Sequence, residues 1–186
     1  GFKGAKFKSF GTVREADNFV KGIVHEKIKE KSNFIEDAIY FYTDGSCVKN
    51  DGTTPAGWGA CCVINDKLVW EDCGRVILDP NCPNFIGAIN STNNTGELSG
   101  IAHALKQILN MNIPGDIIIK SDSVYAMNTI QGIYNINTNV NLIGMTQNLL
   151  QEVKKIRNIK MEHIKAHVGF KWNERADKLA NLGREK

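Results

Sequence analysis

The chain has 186 residues, 42% hydrophobic and 23% charged, which is enough apolar material for one globular domain plus an appendage. No run of about 18 apolar residues occurs, so no membrane-spanning helix is expected, and Gly1 to Lys8 lack the apolar core of a signal peptide. The net charge of +3 is uneven: residues 1–31 carry eight Lys or Arg against four acids, leaving −1 for the rest, so any nucleic acid on the main domain must be held by a local basic face and neutral donors.

In chain order, Ala5–Phe10 reads as a short strand and Val13–Lys21 as a helix, on the spacing of Ala16, Phe19 and Val20. Residues 1–22 form one appendage, 23–36 a charged linker, and 37–186 the main domain. Ala38–Thr43 is β-branched or aromatic and reads as a buried strand. Two more strands, Gly57–Asn65 and Leu68–Val76, meet at the turn Asn65-Asp66-Lys67. A loop rich in Asn, Pro and Gly fills 79–92. The apolar positions Leu98, Ile101, Ala102, Leu105, Ile108 and Leu109 predict a helix over Asn94–Asn110.

Pro114-Gly115 turns the chain into Asp116–Lys120, whose three consecutive isoleucines predict a strand buried on both faces. A short helix over Ser123–Gln131, a polar connection Gly132–Asn139, a helix over Leu142–Ile156, a strand over Lys160–Ala166 and a helix over Asn173–Arg184 complete the domain. The order β-β-β-α-β-α-α-β-α predicts an α/β fold: a five-stranded mixed sheet with an antiparallel hairpin edge, flanked by helices. The five cysteines form no C-x-x-C pair and stand near no histidine at zinc-ligand spacing, so reduced, mostly buried thiols in an intracellular protein are expected.

Four acids stand at strand ends or helix starts. Asp44 closes the first strand and Asp122 the Ile117–Lys120 strand, while Glu97 and Asp177 lie in the first turns of their helices. If the two strands are neighbours, both aspartates share one edge, and the helical acids can point into the same crevice. Alone, each acid is as well explained as a solvated cap or surface charge. Together they repel by about 4 kcal/mol per pair near 4 Å at an effective dielectric of 20. Such a group persists only around cations, and hard oxygen ligands suit Mg²⁺ or Mn²⁺. Two such ions activate a water and stabilise the leaving oxygen of a phosphodiester displacement.

Four segments then carry a resemblance. Tyr42-Thr43-Asp44-Gly45-Ser46, Thr92-Asn93-Asn94-Thr95-Gly96-Glu97-Leu98, Ser121-Asp122-Ser123-Val124-Tyr125, and His167-Val168-Gly169 with Asn173-Glu174-Arg175-Ala176-Asp177 resemble the type 1 ribonuclease H family, in its order and spacing over about residues 38–185. The resemblance implies a ribonuclease H-like fold and an endoribonuclease that cuts the RNA strand of RNA–DNA hybrids. It implies that Asp44, Glu97, Asp122 and Asp177 ligate two Mg²⁺, with Mn²⁺ as a substitute, and that His167 assists proton movement or product departure. His25, His103 and His163 match no motif and are expected to pack or face solvent.

An enzyme restricted to RNA must sense the 2′-hydroxyl, a donor and an acceptor at once, which an asparagine amide can match. Asn50, Asn93 and Asn94 match family positions that contact the minor groove, and Ser123 belongs to the same substrate-binding set. Thr92 matches part of a pocket for a DNA-strand phosphate, with Asn141 on its other side. Asn90 stands where relatives often have arginine, which implies a weaker phosphate grip. The Lys- and Trp-rich handle that some members insert after the second helix is missing, and Gly132–Asn139 stands in its place. Tyr134 there either stacks on a deoxyribose or packs against the sheet. Trp172 is expected to pack in the loop before Asn173.

Residues 1–10 and 15–20 are similar to the second half of a hybrid-binding module found upstream of some ribonucleases H. About 20 residues cannot fold alone, so residues 1–36 are expected to be frayed or docked on the main domain. A monomer without small-molecule cofactor or membrane contact is expected, intracellular, in the nucleus or mitochondrion if eukaryotic and in the cytoplasm if bacterial. Rival readings are the ribonuclease H domain of a retroelement reverse transcriptase and a non-catalytic hybrid-binding protein. A broken acidic set would favour the latter, and this set is complete.

Overall fold

The computed structural model describes residues 38–166 and 169–186. The expectations for residues 1–36 and for His167 lie outside the described residues.

The strands are β1 (Ile39–Cys47), β2 (Ala56–Ile64), β3 (Lys67–Arg75), β4 (Ile117–Ser121) and β5 (Ile159–His163), and the helices α1 (Asn93–Asn110), α2 (Val124–Ile130), α3 (Val140–Ile156) and α4 (Lys171–Glu185). They form one sheet in the order β3-β2-β1-β4-β5. β1–β2 and β2–β3 are antiparallel, while β1–β4 and β4–β5 are parallel. The mixed sheet with an antiparallel hairpin edge is thus the architecture expected. The hairpin closes through Asn65 and Asp66, both at positive φ (51° and 57°), as a two-residue turn matching the strand twist requires.

One boundary matters for the site. β1 does not stop at Thr43: it runs on to Cys47, paired with β2, whereas its parallel pairing with β4 ends at Tyr42–Lys120. Asp44 therefore lies inside a strand, at the point where one of its two neighbours falls away. Asp122 follows the last residue of that neighbour. The two aspartates meet at a step in the sheet rather than at two strand ends. Trp172 is also relocated, since α4 begins at Lys171 and takes the tryptophan into its first turn.

Side chains alternate along β1, so its two faces receive different helices. Ile39 and Phe41 join Ile117 and Ile119 under Leu98, Ile101 and Leu105 of α1, with Leu142, Ile143, Leu150 and Val153 of α3 closing the core. Each such aliphatic side chain, once buried, contributes about 1.5–3 kcal/mol. All three isoleucines of β4 are buried, as a strand covered on both faces requires. On the opposite face α4 lies directly on β2. A Cβ at Gly57 or Gly59 would run into its backbone at Ala176, Ala180 and Arg184. These glycines pair with Ser46 and Asp44. The close approach brings α4, and Asp177 with it, down onto the acidic part of β1.

Among the described residues no helix is long and apolar enough to cross a membrane. All five cysteines are free; Cys61 and Cys62 are buried, and Cys47, Cys73 and Cys82 are only half-buried. Burial pushes the thiols of Cys61 and Cys62 up to about 12, so both are unreactive packing groups.

Candidate active site

Glu97 is delivered by a well-made helix start. Thr92 caps α1: its hydroxyl accepts the Thr95 amide at 3.3 Å, and the Thr95 hydroxyl accepts the Thr92 amide at 2.9 Å. Asn50, in the turn after β1, accepts the Asn93 amide on Oδ1 at 2.8 Å and ties that turn to the same helix end. A Cβ at Gly45 would collide with the backbone of Gly96 and Glu97. Glycine there lets the first turn of α1 rest on β1 beside Asp44.

Asp44, Glu97 and Asp122 each turn a carboxylate oxygen to within 4.8 Å of the other two. They line a cavity of about 340 Å³ together with Asp177, Asn93, Ser46, Cys47 and Gly45. Asp44 and Glu97 are buried, at 6% and 5% exposure. Burial, and then the neighbouring Asp122 and Asp177, push Asp44 up to about 7, against the amide of Gly45 donating to its Oδ1 at 2.8 Å. Burial, followed by Asp44 and Asp122, raises Glu97 well above the usual carboxylate range. Its Oε1 receives a long bond of 3.4 Å from the Asn93 amide, and its Oε2 is buried with no hydrogen-bond partner among the described residues.

An orphaned buried oxygen among like charges signals a missing positive partner. The donor set is all oxygen and opens to solvent, which fits a hard divalent cation that keeps part of its hydration. Asp177 sits apart from the close trio, on α4, where Asn181 donates to its Oδ1 at 3.3 Å.

The remaining sequence candidates fall in varied places. Asn93 lines the cavity and Asn94 is exposed on the first turn of α1. Ser123 caps α2, its hydroxyl accepting the Ala126 amide at 3.2 Å. Tyr134 is 44% exposed, in the connection between α2 and α3. Asn141 is exposed on α3, whereas Asn139 at the helix start is buried at 6%, with φ 55° and an unpartnered Oδ1. Asparagine recurs at every second position there, and only the left-handed backbone, which asparagine tolerates, selects residue 139. His103 stacks on Trp58 with ring centroids 3.8 Å apart, and burial holds it down to about 4, a neutral packing residue. Sequence reading also missed Asn181 and Arg184, which reach the cavity wall through Ser46.

Comparison with known proteins follows the same lines. The RNase H family model matches residues 36–185. The ribonuclease H of Pseudomonas savastanoi pv. phaseolicola is 30% identical over 163 residues, covering 80% of this chain and 94% of that protein. Among solved structures, the RNase H1 of the archaeon Halobacterium salinarum superposes with a TM-score of 0.61 at 23% identity, over 80% of this chain and 98% of that one. LC11-RNase H1, solved in complex with an RNA/DNA hybrid, gives 0.60 at 22% identity, over 79% and 96%.

Proposed function

This chain belongs to the ribonuclease H family, and from that premise we propose that it hydrolyses the RNA strand of RNA–DNA hybrids with two Mg²⁺ ions at the acid cavity, Mn²⁺ being able to replace them. The observation that carries the reading is the convergence of Asp44, Glu97 and Asp122 from three elements, with one Glu97 oxygen buried and unanswered. Asp44, Glu97, Asp122 and Asp177 would hold the ions. The chemistry such ions supply is activation of a water and stabilisation of the leaving oxygen.

The chain's own groups do the rest. Asn93 orients Glu97 through its amide. Asn50 spends its carbonyl on α1 and keeps its NH₂ for a 2′-hydroxyl, and Asn94, exposed beside it, offers both donor and acceptor. Thr92 would meet a phosphate oxygen with the start of α1 that it caps, and Ser123, whose hydroxyl only accepts the Ala126 amide, keeps its proton to donate to one. Asn141, exposed on α3, or the neighbouring Asn139 would offer its amide to the DNA strand, and the exposed Tyr134 ring would stack on a deoxyribose. His167 moves a proton or helps the product leave. A hybrid as partner is supported by LC11-RNase H1, a structural neighbour bound to one.

The test is direct. Hybrid, duplex DNA and duplex RNA are incubated with the full chain, with Mg²⁺ or with EDTA. Cleavage of the hybrid's RNA strand alone, abolished by EDTA, is expected; cleavage of duplex DNA, or of hybrid without metal, sinks the reading.

A further inference from the structure

Asp177 is held by a chain of hydrogen bonds that the other three carboxylates lack. The Asn181 amide, one helical turn on, donates to Asp177 Oδ1 at 3.3 Å and to the Asp177 carbonyl at 3.0 Å. Its own Oδ1 accepts the Ser46 hydroxyl at 2.7 Å, a bond that crosses from α4 to β1. Ser46 Oγ in turn accepts Nη1 of Arg184 at 2.8 Å.

Chemistry dictates the direction of this chain. A guanidinium only donates, so the Ser46 oxygen must accept from it, and the single hydroxyl proton is left for Asn181 Oδ1. The amide NH₂ can then face only an acceptor, and Asp177 provides it. Apart from the Asn181 bond to the Asp177 carbonyl, every bond points from the cation to the carboxylate, so the members polarise one another in the same sense. Arg184 has little competing use for its charge. Its side chain is 23% exposed, and the one carboxylate it approaches among the described residues, Glu185, lies 4.0 Å away and is 70% exposed, a weak partner.

We propose that Asn181, backed by Ser46 and Arg184, is a positioning residue for Asp177. It holds one carboxylate oxygen so that the other is presented to the acid cavity as a cation ligand. The inference rests on the two-cation reading of that cavity. It also accounts for the distance of Asp177 from the close trio: its carboxylate answers to α4 and Ser46 rather than to its acidic neighbours. Partners that orient a metal ligand in this way are typically worth 10–100-fold in metal affinity or activity.

The experiment is an Mn²⁺ titration of the full chain, followed by loss of the free-ion paramagnetic resonance signal. Asp177→Asn serves as the reference, identifying the part of the isotherm that depends on Asp177. Asn181→Ala is expected to weaken that same part about tenfold and leave the rest unchanged. Ser46→Ala, which breaks the relay without touching α4, should do likewise. The double variant should lose little more than either single one, because the bonds act as a unit. Isotherms that overlay the wild type, with only the unfolding temperature lowered, would show that the relay merely glues α4 to β1 and would overturn the proposal. So would an Asp177→Asn isotherm unchanged from wild type, or additive losses in the double variant. If Asn181→Ala does not fold, Ser46→Ala decides alone. No cleavage is involved, so a wild type that binds Mn²⁺ but leaves hybrid intact would defeat the functional reading without touching this one.

Discussion

At the start of α4 the charges that face the β2–β3 hairpin are answered. Arg175 grips Glu71 with two guanidinium nitrogens, Lys171 approaches Asp66 at 3.5 Å, and the Trp172 indole donates to the same aspartate. In the acid cavity, which the same helix reaches through Asp177, like charges are gathered and left open. The two regions respond to pH in opposite directions. Arg175 holds Glu71 below the ordinary carboxylate range, so the stability from that pair is present above the unfolded value near 4 and is lost as pH falls. Asp44 is raised to about 7, so its charge destabilises the cation-free fold above that pH, and the cost disappears as pH falls toward 4. A charge paired within the chain anchors structure; buried like charges with no counterion among the described residues point to a cation from outside.

The strongest way to break the comparison is to remove one ligand. Asp122→Asn should lower hybrid cleavage by roughly a thousandfold or more while hybrid binding, measured by filter retention or anisotropy, survives. Equal loss of binding would mean that Asp122 serves the fold instead. A smaller effect with the opposite sign is expected for Asp44→Asn. Without metal at pH 8 this variant should be more stable than the wild type, by on the order of 1–3 kcal/mol, since the unfavourable ionisation of a carboxyl raised to about 7 is removed. Thermal unfolding in EDTA from pH 5 to pH 8 would show the wild type losing stability as pH rises and the variant losing less, its remaining slope coming from the buried Glu97. Mg²⁺ should restore the wild type at pH 8, because a cation offsets the same repulsion. A destabilised Asp44→Asn protein would mean that the carboxylate is satisfied from within.

Much of this contrast was legible from residue order, and some of it was not. The long helices and the isoleucine strand carry strong periodic signals, so α1, α3 and β4 stand where apolar spacing puts them. The four acids stand out because acids beside strand ends and helix starts can converge. What the sequence could not say is how Asp44 meets Asp122. The residues after Thr43 lack β-branched or aromatic character, yet pairing with β2 carries the strand on to Cys47. Tertiary pairing overrides propensity there. Asn139 was hidden among its alternating asparagines, and the Asp177–Asn181–Ser46–Arg184 relay joins residues up to 138 positions apart, beyond the reach of any local pattern.

The smallest expected effect belongs to the answered region, and it sharpens the contrast. In the Arg175–Glu71 pair both side chains are partly exposed, 38% and 30%, so water screens much of their attraction. A double-mutant cycle through Arg175→Ala and Glu71→Gln should give a coupling of about 0.5–1 kcal/mol, the upper end reflecting the two-pronged geometry. That coupling should shrink as pH falls toward 4, where Glu71 takes up a proton, and it should shrink in high salt. Cleavage and Mn²⁺ binding should stay within about twofold of wild type, because the pair touches neither the cavity nor the relay to Asp177. A change in Mn²⁺ binding on Arg175→Ala would mean that the seating of α4 on the hairpin sets the geometry of the acids, and that the answered and unanswered charges act as one device rather than two.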